Sequence, residues 1–215
     1  YQCDWSSDVC SSDLTYRLLT GLVVPRPIAW VSTVSAQGIP NLAPFSFFNV
    51  ACTDPGMLMF SARDRDDGAK DTVRNISACP EFVIHIVNAA MAERMNVCAV
   101  EFPRGVDEMK EAGFTAVPAA RVRAPRIREA PAAFECRLVQ MIDLGRRPYH
   151  LVIGEVLYYH FEDGLVDEAF HVDVAGVNPV ARLAGNGGYT RITDRFEMPR
   201  ISHAQWLATK RCNRD

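Results

Sequence analysis

Val24-Pro-Arg-Pro-Ile-Ala-Trp-Val-Ser-Thr33, Asn41-Leu-Ala-Pro-Phe-Ser-Phe-Phe-Asn49, and Phe60-Ser-Ala-Arg63 leading to Lys70-Asp-Thr72 decide how this chain reads. The first two segments mix β-branched and aromatic residues with small and hydroxylic ones, as strands on a pleated, half-buried surface do. The third ends on Ser61 and Arg63 and passes through a charged loop to a helix start at Lys70-Asp71-Thr72. Small strand residues allow close approach to a flat apolar ring. Cations and hydroxyls beside the N–H groups of a helix start suit a phosphate. Each segment alone also fits a purely structural role; together they suit a ring carrying a phosphate tail.

The surrounding pattern is strand-rich. Tyr16 to Leu22 reads as a short strand or one helical turn, and Pro25 and Pro27 bar a long helix. Ile28 to Ser35 reads as a strand, Gln37-Gly38-Ile39-Pro40 as a turn, and Leu42 to Ala51 as one returning strand. Thr53-Asp-Pro-Gly56 is a further turn before a strand at Met57 to Ser61. A surface loop over Arg63 to Gly68 precedes a helix from Lys70 to Ala78, which Pro80 stops. Glu81 to Val87 is a strand, and Asn88 is placed to cap a helix over Ala89 to Val97. A short helix over Val106 to Ala112 ends at Gly113. Ala133 to Ile142 and Tyr149 to His160 are the longest late strands, and the chain is loop-rich from Val166. Many short strands with few helices predict a mainly β (α+β) fold, a β-barrel with peripheral helices.

The 215 residues suit one large domain with a real core. With 23 basic and 26 acidic residues the net charge is −3, and no basic run gives a nucleic-acid footprint. No apolar stretch approaches a membrane span. The seven cysteines form no Cys-x-x-Cys pair, so their spacing argues against a metal site and for a reducing cytoplasm. Asp4-Trp-Ser-Ser-Asp-Val-Cys-Ser-Ser-Asp-Leu14 resembles a translated frame of a common sequencing adapter. Residues 1–14 are therefore set aside as non-native, a domain is expected over 15–200, and 201–215 form a C-terminal tail.

The Pro-Arg-Pro-Ile, Asn-x-Ala-Pro-x-Ser and Lys-Asp-Thr segments, with Arg182, Leu183 and Gly185, resemble the flavin reductase-like family of FMN-binding split barrels. The resemblance runs from about Tyr16 to Tyr189 and implies a homodimer with FMN near the subunit interface. It places the flavin ring against Ala43, Pro44, Ser46 and Phe47. It places the ribityl chain and phosphate near Ser61, Ala62, Arg63, Lys70, Asp71 and Thr72, where Asp71 better suits helix capping or orienting Lys70 than meeting phosphate.

Asn41 either meets the flavin edge or satisfies turn backbone. Arg26 either steadies charge at the reduced ring or pairs with an acid across the dimer. The resemblance also makes Tyr189 a cover from the second subunit.

The implied activity is an NAD(P)H-dependent flavin reductase passing electrons to free flavin or a partner oxygenase, with a nicotinamide or small aromatic substrate. The alternatives are an FMN electron-transfer protein of the flavoredoxin kind and a non-catalytic flavin-binding module. One departure bears on the choice: Gly154-Glu155-Val156 stands where many relatives carry Gly-Asp-His. The nicotinamide role of that histidine therefore does not carry over, and His160 is too far along the strand to replace it. No Ser–His–Asp triad is indicated, because a flavin would perform the redox chemistry itself.

Overall fold

The computed structural model describes residues 12–146, 148–185 and 187–212. Helix α1 (Ser12–Leu22) leads into β1 (Ala29–Val34), β2 (Pro40–Phe45), β3 (Phe48–Thr53) and β4 (Gly56–Arg63). Then follow α2 (Asp71–Ala78), β5 (Glu81–His85), α3 (Ala92–Val97), α4 (Glu108–Glu111), β6 (Ala116–Val117) and β7 (Arg126–Ile127). The long strands β8 (Ala132–Leu144) and β9 (Tyr149–Phe161) precede α5 (Val174–Val177), β10 (Val180–Arg182), β11 (Tyr189–Arg191) and α6 (His203–Cys212).

Seven strands form one antiparallel sheet in the order β2-β1-β5-β8-β9-β4-β3. Consecutive strands β2 and β3 thus lie at opposite edges. The single run expected over Leu42 to Ala51 is instead two strands, because the chain bends at Ser46 and Phe47 to cross from one edge to the other. The Phe45 and Phe60 rings, 5.0 Å apart, bring β2 against β4 across the gap, while the Ser61 N–H to Phe47 carbonyl bond at 2.9 Å continues the β3–β4 pairing into the bend. The result is the split barrel, curled shut by side-chain packing rather than by a continuous ladder.

The period-two alternation of the strands divides the core in two. Ala29, Val31, Phe45, Phe60, Phe82, Ile84 and Val152 fill the barrel, with Val73 and Ile76 of α2 packed against them. Trp30, Leu42, Met95, Met109, Phe114 and Ile127 face the other way, in a second cluster shared with α3 and α4. Gly154 belongs to the first: a Cβ there would stand 2.4 Å from the Phe82 ring.

The strand-or-turn segment Tyr16 to Leu22 is helical, continuous with Ser12–Leu14 of the adapter-like stretch; residues 1–11 lie outside the described residues, as do 213–215 of the tail. Asn88 does not cap the helix expected over Ala89 to Val97: α3 begins at Ala92 with Met91 at its N-cap, and Asn88 Oδ1 accepts the Met91 N–H at 3.1 Å to close the turn before it. Gly38 and Gly113 take the left-handed backbone their turns need, at φ of +81° and +70°. Among the described residues no helix is long and apolar enough to cross a membrane.

Candidate functional site

Helix α2 starts beside the end of β4, where the chain gathers positive charge. A cavity of about 110 Å³ lies there, lined by Ala43 and Pro44 of β2, Lys70, Asp71 and Thr72 at the helix start, and Arg65, Cys98, Glu101 and Glu108. A more open hollow of about 250 Å³ adjoins it through Arg65, Lys70 and Glu101 and adds Arg63, Asp64 and Asp66. The sequence motifs therefore converge: Asn41, Ala43, Pro44, Lys70, Asp71 and Thr72 share one cavity, and Arg63 stands at its mouth.

Several donors here are unspent. The N–H groups of Asp71, Thr72 and Val73 begin α2 and have no intrahelical acceptor. The Lys70 ammonium has no hydrogen bond or ion pair among the described residues, and burial, then neighbouring Arg65, pushes its pKa below the usual ammonium value. Arg65 donates from Nη1 to the Phe102 carbonyl at 3.0 Å, while its buried Nε has no partner. Such a group costs free energy unless a ligand or water meets it.

Other residues of the expected set are engaged. Asn41 is buried; its Nδ2 donates to Thr33 Oγ1 at 3.3 Å and to Thr72 Oγ1 at 3.0 Å. Asn75 Nδ2 also reaches Thr33 Oγ1, at 3.0 Å. Asp71 is held at 2.7 Å by Arg104, which also pairs with Asp67. Ala62 turns its side chain into the barrel, so only its backbone faces neighbouring strands, whereas Ser61 and Arg63 lie on the opposite face of β4. Ser46 sits in the bend between β2 and β3.

Arg26, Phe47 and Tyr189 form a second patch. Buried Arg26 gives its guanidinium N–H groups to the carbonyls of Thr20, Val23 and Ala184, and its backbone pairs with Arg182. It has no acidic partner within the described residues of this chain; its carbon lies 5.9 Å from the Phe47 ring centroid. Phe47 stacks on Tyr149, and Arg182 lies over the Tyr189 ring at 4.7 Å.

Three of the five histidines hold the structure together. His85 is fully buried between the Trp30 carbonyl at 2.9 Å and the Ile127 N–H at 3.0 Å. His160 bonds Glu135, a buried carboxylate that also accepts the N–H groups of Ala120 and Arg121. Burial alone would raise Glu135; the His160 bond and the two amides outweigh it and hold the carboxyl below its usual range. His160 is thus committed to anchoring the 118–125 loop. His150 bridges Asp64 and Asp143.

Sequence reasoning missed Arg65, Glu101, Arg104 and Glu108. Arg65 carried a signal, two residues beyond Arg63 in the same charged loop. Glu108 reaches the cavity only because α4 packs against β2, and Glu101 because the chain after α3 returns to the cavity, which no local pattern announces.

The chain belongs to the flavin reductase like domain family, whose profile matches residues 21–179. An uncharacterized protein of Deinococcus radiodurans is 44% identical over 198 residues, covering 89% of this chain and 86% of that protein. Nitrilotriacetate monooxygenase component B from Bacillus cereus superposes with a TM-score of 0.86 at 30% identity, over 92% of this chain and 99% of that one. The 2-nitrobenzoate 2-nitroreductase of Pseudomonas fluorescens gives 0.82 at 34% identity, over 90% and 94%.

Proposed function

We propose that this protein is an FMN-binding oxidoreductase that accepts hydride from NADH or NADPH and passes the electrons to free flavin or a partner oxygenase. The observation that carries this reading is the unspent donor set at the start of α2, in a chain of the flavin reductase like family. The fit rests on chemistry: the Lys70 ammonium, the orphaned Arg65 Nε and the first-turn amides are what a phosphate dianion requires. When bound, FMN would supply the ring that takes and releases hydride.

The chain's own residues would bind and orient. Lys70, Arg65 and the α2 amides would hold the phosphate, with Arg63 and Ser61 completing its open side. Ala43, Pro44 and Ser46 would let the ring approach β2 closely. Asn41 and Thr72 would fix the helix start against β2, and Arg104 would keep Asp71 turned from the anion. Arg26, Phe47 and Tyr189 would rim the ring in a homodimer. The likeness to a monooxygenase component supports an oxygenase as the electron acceptor.

A second reading, an FMN electron carrier without nicotinamide, draws on Gly154-Glu155-Val156 and on the commitment of His160 to Glu135. Anaerobic titration separates the two. FMN-loaded protein should bleach when NADH or NADPH is added. Bleaching by dithionite alone would favour the carrier, and failure to bind FMN at all would overturn both.

A further inference from the structure

Glu108 is a buried carboxylate in the cavity just described and plays no part in the phosphate set. It begins α4, yet its Oε2 accepts the Leu42 N–H across to β2 at 2.9 Å. Leu42 sits inside the Asn41–Pro44 stretch, so this bond fixes the strand that forms one wall of the cavity. The carboxyl faces the same space as Lys70 and Thr72.

We propose that Glu108 is a positioning and specificity residue of the anion pocket, whose proton decides whether the pocket accepts the phosphate end of FMN. The inference rests on the flavin reading above. Charged and titratable groups face Glu108 from every side. Arg65 comes from the loop after β4, Lys70 and Asp71 from the start of α2, Cys98 and Glu101 from the end of α3 and its following turn, and Asp107 from beside it. Two cations thus face four carboxylates, counting Glu108, and Asp71 is neutralised by Arg104.

An ionised Glu108 would cancel much of the attraction Lys70 and Arg65 offer a dianion; a protonated one leaves it intact and adds an O–H donor. Burial, then Asp71 and Asp107, raise its pKa against the opposing bonds from Leu42 and from its own helix. A bound phosphate raises it further, so binding takes up a proton. Affinity is greatest where Glu108 is protonated and falls as pH climbs through its raised pKa.

The test compares wild type with Glu108→Gln, which keeps the acceptor for Leu42 N–H and cannot ionise. FMN and riboflavin dissociation constants are measured by flavin fluorescence quenching from pH 5 to 8. FMN affinity of the wild type should fall at least tenfold relative to that of Glu108→Gln across this range, while the riboflavin ratio stays level. Parallel FMN profiles for the two proteins would overturn the proposal and leave the flavin reading standing. A wild type that binds neither flavin would overturn both. If Glu108→Gln does not fold, calorimetry on wild type at pH 8, where the free phosphate is already the dianion, in buffers of differing ionisation enthalpy decides. FMN binding should take up more protons than riboflavin binding, and equal uptake would refute the role.

Discussion

Asn41 Nδ2 donates to Thr72 Oγ1 at 3.0 Å, tying β2 to the first turn of α2 across 31 residues of sequence. With Thr33 and Asn75 they form a closed buried polar group between barrel and helix. Asn41→Ala removes a donor from two buried hydroxyls, an effect worth about 1–3 kcal/mol. Urea denaturation should show a loss of that size, together with weaker FMN binding as the helix start loosens. Unchanged stability would mean that water replaces Asn41 without cost.

Lys70→Ala should weaken FMN binding about tenfold or more, since a charge-assisted bond contributes about 1.5–3 kcal/mol and about 1.4 kcal/mol is tenfold. Riboflavin lacks the phosphate, so its affinity should barely respond. Equal weakening of both ligands would move Lys70 from the phosphate to the fold or the ring pocket.

His85 is neutral at physiological pH. Full burial lowers its pKa from 6.5 to about 4, against the raising effect of the Trp30 carbonyl bond. The native state therefore refuses a proton that the unfolded chain accepts. This contribution is intact above pH 6.5 and is lost as pH falls from there toward 4, amounting to roughly 3 kcal/mol. The imidazole NMR shifts of His85 should stay those of the neutral ring at pH 5, while urea midpoints decline. A His85 that titrates near 6.5 would remove the effect.

Gly154→Ala drives a methyl to 2.4 Å from Phe82 and 3.3 Å from the Arg137 carbonyl. Overpacking of this kind costs about 1–3 kcal/mol. Thermal melting should fall by several degrees, and Phe82→Leu in the same chain should restore part of it. A neutral Gly154→Ala would show that the Phe82 ring shifts without cost.

Apolar side chains stand exposed on β3, on α1 and beyond β11, among them Val50 at 56%, Leu22 at 78% and Phe196 at 84%. Isolated exposed apolar residues are ordinary, but several large ones on one chain suit an interface. Light scattering of FMN-loaded protein at micromolar concentration should give the mass of a dimer. A monomer with FMN bound would exclude a site completed by a second subunit.

The strands β1, β4 and β5, helix α2 and the turns at Gly38 and Gly113 were legible in the sequence, because each depends on local periodicity, proline position or backbone freedom. The Lys70-Asp71-Thr72 helix start was legible as well, although no side chain caps it and Asp71 bonds Arg104 instead. The bend at Ser46-Phe47 was not. An unbroken apolar run looks alike whether it stays in one strand or crosses a barrel, and only the pairing of β4 with β9 sends β3 to the far edge. Nor did local pattern separate Ser61 and Arg63 from Ala62, whose side chain the barrel turns inward. The destinations of Asn41, Arg26 and His160 were equally hidden, because their partners Thr72, Thr20 with Ala184, and Glu135 are brought near by folding. Arg104 and Glu108 enter the site the same way. Sequence alone set which residue types could hold a phosphorylated ring; the tertiary structure decided which of them remain unpaired and face the cavity, because burial and partner choice are properties of contacts between distant segments.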